Sequence, residues 1–308
     1  MSDLPAPIIS LVGFTSKEEI ATYVEQVPQA RFELAYTMSA SFLQEVAPLI
    51  EGKVVSAHAC CPSEPIFPNF ASHDEAVLTE SFEAVKRTLA NTQAFGADIM
   101  VLHPGYVTDF SIPAKNGERQ RLLADPSFEP YIGITEGAIC RSDYIDSEVY
   151  QRHSAQATTQ LVKVAALAAQ YGVRLAVENL NPRVAYLFQT PQEMVTLTQA
   201  SEQIYLCLDV GHLFIASAVY GFDYLEAVKE ILATGRVVNC HLHTNATSKK
   251  DGRYSDDHHS IDRHGFPIDE TICLLAEAGA NLVLETIEEP LYNTRRIAEL
   301  LEACRASG

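Results

Sequence analysis

The sequence predicts a (β/α)8 barrel, and three observations carry that prediction. The chain has 308 residues, of which 47% are hydrophobic, enough to fill one barrel of ordinary size. Short runs rich in Val, Ile and Leu alternate with longer segments of helical periodicity from one end to the other. There are eight such runs, and strand followed by helix, repeated eight times, is the pattern of this fold. The expectation is one domain over residues 1–308.

The runs occur in order. "IISLVG" (8–13) and "RFELAY" (31–36) flank the amphipathic "SKEEIATYVEQV", and "KVVSAH" (53–58) is the third strand. "HDEAVLTESFEAVKRTLANTQAF" reads as the helix before "DIMVLH" (98–103), and "AQATTQLVKVAALAAQYG" as the helix before "RLAVEN" (174–179). "IYLCLD" (204–209), "VVNCHLH" (237–243) and "LVLETI" (282–287) complete the set. Several helical segments open on Ser, Thr or Asp and close on Gly, as caps require. Residues 106 to about 147, after the fourth strand, break the rhythm. A connection this long is expected to serve as a lid or an interface. Its Tyr106, Phe110, Phe128, Tyr131, Ile132 and Ile134 need a surface to cover, either the barrel mouth or another subunit of a homo-oligomer.

The net charge of −18 opposes broad attachment to nucleic acid or to an anionic membrane. The start "MSDLPAPIIS" lacks a basic, apolar leader, and no run approaches the roughly 20 apolar residues that span a bilayer. A soluble, cytoplasmic protein is expected. Seven cysteines, including adjacent Cys60 and Cys61 and no C-x-x-C, suggest neither a disulfide framework nor a zinc ribbon. Most are expected reduced, several of them buried.

In such a barrel the catalytic groups sit where strands end, around one shared mouth. The strand ends carry His58, His103, Glu178, Asp209 with His212, His241 and His243, the loop "DDHHSIDRH" (256–264) just beyond, and Glu285. Eight of the ten histidines fall there; only His73 and His153, on predicted helices, lie elsewhere. Carboxylates gathered at one mouth repel unless protons or cations neutralise them. Imidazole with carboxylate suits zinc, manganese or iron, so a divalent metal site is expected.

These residues resemble the xylose isomerase-like TIM barrels, which join sugar isomerases and epimerases to apurinic/apyrimidinic endonucleases of the endonuclease IV type. The resemblance covers nearly the whole chain. "AHACCPSEPIFPNFAS" resembles that family's segment ending in Asn-Leu-Ala-Ser and points to His58. "LHPG" supplies His103, "VEN" Glu178, "CLDVGH" Asp209 and His212, and "LVLETI" Glu285. "HTNATSKKDGRYSDDHHS" runs without a gap against a further family segment, selecting His243 over His241, together with Asp256 and His258. Asp257, one residue off that register, is the alternative to Asp256. The resemblance thus implies a ligand set of His58, His103, Glu178, Asp209, His212, His243, Asp256, His258 and Glu285, holding one to three divalent ions, zinc first and Mn²⁺ or Mg²⁺ as alternatives. His241, His259, Arg263, His264 and Arg183 are left as substrate contacts.

Two chemistries share such a mouth. In the isomerase or epimerase reading, Glu178 and Glu285 exchange a proton on opposite faces of an enediolate and His212 holds a sugar oxygen. In the hydrolytic reading, zinc ions activate water against a phosphoester. The mouth loops carry Arg183, Lys249, Lys250, Arg253 and Arg263, and the insertion adds Lys115, Arg119, Arg121 and Arg141. The loop "AYTMSASF" has no Arg or Lys to read DNA, although Ile66 or Phe67 could act as an apolar wedge between bases, and the long segment after His103 stands where a duplex would lie. A small sugar or sugar phosphate is therefore favoured over DNA as the partner.

Overall fold

All eight apolar runs form strands of one closed parallel barrel. The computed structural model describes residues 6–307. The strands are β1 (Ile8–Ser10), β2 (Arg31–Leu34), β3 (Val54–His58), β4 (Ile99–Leu102), β5 (Arg174–Glu178), β6 (Ile204–Asp209), β7 (Val237–Leu242) and β8 (Asn281–Leu284). Each pairs with its neighbours in sequence, and β8 closes on β1. Helices follow every strand, from Lys17–Gln26 after β1 to Pro290–Ser307 after β8. None of the described helices is long and apolar enough to cross a membrane.

Alternate strand residues face opposite sides of the wall. Outward ones such as Phe32, Leu34, Met100, Leu102, Leu175, Val177, Leu206 and Leu208 join the main core against the helices. Inward ones form two small clusters, Ile8 with Val55 and Val283, and Ile99 with Val101, Ala176 and Cys207.

The alternation is broken twice. Phe32 pairs with Val54 and Glu33 with Ser56, so Val55 is an extra residue in β3. Leu206 pairs with Val237 and Cys207 with Asn239, so Val238 is an extra residue in β7. A bulge of this kind shifts every later residue of its strand to the other face. Ser56 and His58, and then Asn239, His241 and His243, thereby turn into the barrel.

The long connection after β4 carries its own small elements. Ile112–Pro113 pairs antiparallel with Ile66–Phe67, and Ile132–Ile134 pairs with Ile139–Cys140, with a helix at Asn116–Leu123 between them. Tyr106 bridges to Tyr186, and Ile139 to Arg183, which ties the segment to the loop after β5. Tyr106 and Phe128 are buried, Tyr131, Ile132 and Ile134 half-buried, and Phe110 is exposed.

Two sequence expectations are corrected, while the expectation that most cysteines are reduced holds for five of seven. Cys273 and Cys304 form a disulfide between the last two helices, while the other five cysteines are free and buried. Partners 31 residues apart show no spacing that sequence could read. Phe67 is buried against His103, Tyr36 and Tyr106, so the strand that holds it in place removes it as a wedge. His73 lies before its helix, which begins at Glu75 behind the cap Asp74.

Candidate metal centre

The C-terminal ends of the strands gather the histidines and carboxylates into overlapping clusters. Ligand atoms of Glu178, Asp209, His241 and Glu285 all lie within 4.8 Å of one another, as do those of His58, His103 and Glu178, of His58, His241 and Glu285, and of His212, His243, Asp256 and His258. All nine residues named from the sequence resemblance are thus brought together. His241 rather than His243 joins Glu178, Asp209 and Glu285, and His243 joins the cluster of the 256–258 loop. Two residues apart on one strand, both face inward, so spacing alone could not separate them.

Four of the imidazoles have Nδ1 fixed and Nε2 aimed at carboxylate. A carbonyl can only accept, so His58 donates from Nδ1 to the Ala59 carbonyl (3.0 Å), leaving Nε2 3.1 Å from Glu178. His212 donates from Nδ1 to the Asn179 carbonyl (3.0 Å), and its Nε2 lies 3.3 Å from Asp256. His258 donates from Nδ1 to the Glu285 carbonyl (2.9 Å), with Nε2 3.4 Å from Asp256. Its φ of +49°, uncommon outside glycine, is local strain of the sort found at working sites. His103 meets the Tyr106 hydroxyl at Nδ1 (3.1 Å) and Glu178 at Nε2 (3.4 Å). Holding the outer nitrogen so that the inner one can ligate is the usual support of a metal-bound imidazole.

His241 shows the same arrangement in reverse. Its Nε2 meets Glu33 at 3.0 Å, and its Nδ1 lies 3.3 Å from both Glu178 and Glu285 and 3.8 Å from Asp209. Glu33 is fully buried and also accepts from Ser56 (2.8 Å) and Asn239 (3.1 Å). Sequence reading missed Glu33. The available signal was a carboxylate inside the apolar run "RFEL", where only an inward partner would be tolerated.

Local structure sets the remaining ligands. Asp209 caps the helix Val210–Tyr220 by accepting from the His212 amide (2.6 Å), so one turn presents both groups. Gly211 between them packs against the His243 ring, where any Cβ would collide. Asn179 bonds both ways to the Asp209 backbone, and Asn181 donates to Asp256 (2.8 Å). Asp257 instead accepts from Ala246 (3.0 Å) and Ser255 (2.5 Å) and shapes the loop. It is therefore Asp256 that faces the histidines.

Charge balance in the cluster falls to imidazolium when no cation is bound. Burial alone would raise the Glu178 carboxyl, but His241 and hydrogen bonds from His103 and His58 hold it well below its usual range. Burial opposes protonation of His212 and His241, yet the surrounding carboxylates raise both well above the ordinary imidazole value. His258 rises to about 10 against the same burial, driven by Asp256. Burial wins only at His103, which falls to about 4. Asp256 Oδ1 and His243 Nδ1 are buried with no hydrogen-bond partner. This donor set, hard carboxylate with imidazole, could hold divalent metal.

The other sequence candidates stand apart from these clusters. Arg263 pairs with Glu288 (2.9 Å) and Glu289 (2.8 Å). His259 and His264 meet each other (2.7 Å) and line a separate cavity of about 370 Å³ with Glu136, Arg253 and Tyr254. Arg183 lies under the insertion, beside Gly137. Over the mouth, Tyr36 packs on His58 and Phe67, and Arg119 of the insertion lies 5.0 Å over the Phe67 ring.

A closed (β/α)8 barrel with imidazoles and carboxylates converging at its C-terminal mouth is the class that fold and site define. The chain belongs to the xylose isomerase-like TIM barrel family, which matches residues 18–306. No curated protein is similar enough in sequence to match. Among solved structures, a D-tagatose 3-epimerase-like protein shares 17% identity at a TM-score of 0.65, over 97% of this chain and 96% of that one. D-psicose 3-epimerase from Clostridium cellulolyticum, with D-tagatose, shares 13% at 0.60, over 98% of each chain. A Thermus thermophilus protein soaked with ZnCl2 shares 17% at 0.58, over 96% of this chain and 97% of that one.

Proposed function

We propose that this chain is a divalent-metal-dependent sugar or sugar-phosphate isomerase or epimerase. The observation that carries the reading is the placement of Glu178 and Glu285, buried at the ends of β5 and β8, each 3.3 Å from the same His241 nitrogen. Two carboxylates facing one small space can remove a proton from one face of a carbon and return it to the other. A divalent cation held by Glu178, Asp209, His241 and Glu285 would polarise a carbonyl and its neighbouring hydroxyl, acidifying the C–H between. His212 would hold a substrate oxygen, and the packed Tyr36, Phe67 and Tyr106 rings would restrict water at the mouth. Likeness to proteins named as sugar 3-epimerases supports the same reading.

Arg119 bears on the substrate class. It is half-buried beside Tyr36, Tyr106 and Tyr186, donates to the Ala114 carbonyl (2.9 Å), and forms no ion pair with any described carboxylate. A guanidinium so placed suits a phosphate. Arg119→Ala should then raise KM for a ketose phosphate more than for the matching free ketose.

A second reading, zinc-dependent phosphoester hydrolysis of the endonuclease IV type, is favoured by one observation. The His212, His243, Asp256 and His258 cluster offers ligands beyond those one ion needs. Incubating the metal-loaded protein in D2O with ketoses, ketose phosphates and inososes, and separately with an abasic-site duplex, decides between them. Solvent deuterium appearing next to the carbonyl is the expected result. Duplex cleavage at enzyme-like rates, with no exchange into any sugar, would reverse the conclusion.

A further inference from the structure

The two histidines that lie away from the barrel mouth meet each other. His73 precedes the helix Glu75–Ala94, His153 lies in the helix Glu148–Gln170, and Asp109 opens the insertion between them. Nδ1 of His73 is 3.1 Å and Nε2 of His153 is 3.4 Å from the same Asp109 oxygen, Oδ1. The three ligand atoms lie within 4.8 Å of one another, and none of the three residues belongs to the clusters described above.

His153 is 3% exposed, and its Nε2 has no hydrogen-bond partner. Its Nδ1 donates to the Val149 carbonyl (2.8 Å), which fixes the tautomer and leaves a lone pair on Nε2 in the neutral ring. That lone pair faces a carboxylate oxygen, an arrangement that repels unless a cation or a proton stands between them. Burial lowers the basicity of this imidazole, which disfavours the proton.

We propose that His73, Asp109 and His153 form a second divalent metal site, of the zinc-binding type, that clasps the start of the insertion to the two helices. A tetrahedral ion with bonds of about 2.1 Å separates its ligand atoms by about 3.4 Å, close to the two distances found here. The other oxygen of Asp109 accepts from Arg152 (3.1 Å), and Oδ1 also accepts from the His73 amide (2.7 Å), so the carboxylate is oriented before any ion arrives. His73 and Asp109 are open to solvent on their outer sides, at 37% and 45% exposure, which leaves the fourth position to water.

The test counts zinc in protein dialysed against one buffer of micromolar free Zn²⁺, comparing the natural chain with His73→Ala and Asp109→Asn. Both side chains are exposed, so the barrel should fold in each variant, and circular dichroism verifies it. Each variant should hold one equivalent less than the natural chain, and His103→Ala, at the mouth, should keep the equivalent they lose. Equal zinc in the natural chain and both variants would overturn the site. So would a loss of more than one equivalent, because the substitutions would then be acting on the barrel mouth.

Discussion

Replacing Glu33 with Gln tests whether a residue that touches no substrate sets the metal affinity of the mouth. Glu33 Oε1 lies 3.0 Å from His241 Nε2. At an effective dielectric of about 20, a full charge pair at that distance is worth about 5 kcal/mol, an upper bound reached only with an imidazolium. With metal on Nδ1 the ring is neutral, and the change replaces a charge-assisted hydrogen bond with a neutral one. Loss of such an outer partner typically costs 10- to 100-fold in metal affinity, or about 1.4–2.7 kcal/mol. The variant keeps the volume of Glu33 but has one acceptor oxygen, so with that oxygen on His241 its amide donates to the Ser56 hydroxyl and the bond from Asn239 is lost; circular dichroism verifies that the barrel still folds. Competition of chelator-stripped protein against a zinc-binding dye measures the affinity. Affinity unchanged within about twofold would mean that Glu33 does not orient His241, and the reasoning would fail.

Glu285→Gln should remove turnover while leaving the circular dichroism spectrum intact, because an anionic ligand is lost without loss of volume. His103→Ala should lower the zinc count by elemental analysis without emptying the mouth, since Glu178 retains its other partners. The metal-free protein should lose stability as pH rises. His258, ordinarily near 6.5, is raised to about 10 in the fold, so its contribution is full below about pH 6.5 and vanishes as pH passes about 10. Thermal melts across that window should fall for stripped protein and stay level for zinc-loaded protein, whose imidazoles are already deprotonated. Reducing Cys273–Cys304, which spans 31 residues, should cost about 3–4 kcal/mol by loop entropy, read as a lower melting temperature under dithiothreitol.

The barrel was legible because burial on both faces writes each strand as a short apolar run, as in "DIMVLH" and "IYLCLD". The site was legible because His and carboxylate at the ends of such runs have one common destination. The support around it was not. Glu33 belongs to β2, a strand that contributes no histidine, and its meaning depends on His241, 208 residues away. The preference for His241 beside Glu178 depends on ring geometry rather than on spacing. Nor could local pattern bring Cys273 to Cys304, or His73 to His153, since helix packing sets both meetings.

The extra residues Val55 and Val238 give the barrel wall a parity that substitution and loss of the bulge treat differently. Exchanging either valine for alanine removes a few methyl groups from the lower interior and leaves every later residue on its side of the wall. Straightening the bulge with Val238 kept, so that Val238 rather than Asn239 pairs with Cys207, instead reverses that assignment for the rest of β7. His241 would then turn towards the helices, where Cys240 and Leu242 now pack, and those apolar side chains would face Glu178 and Glu285. Register at these two points is therefore part of the chemistry, and a straightened β3 or β7 would keep a barrel while silencing its mouth.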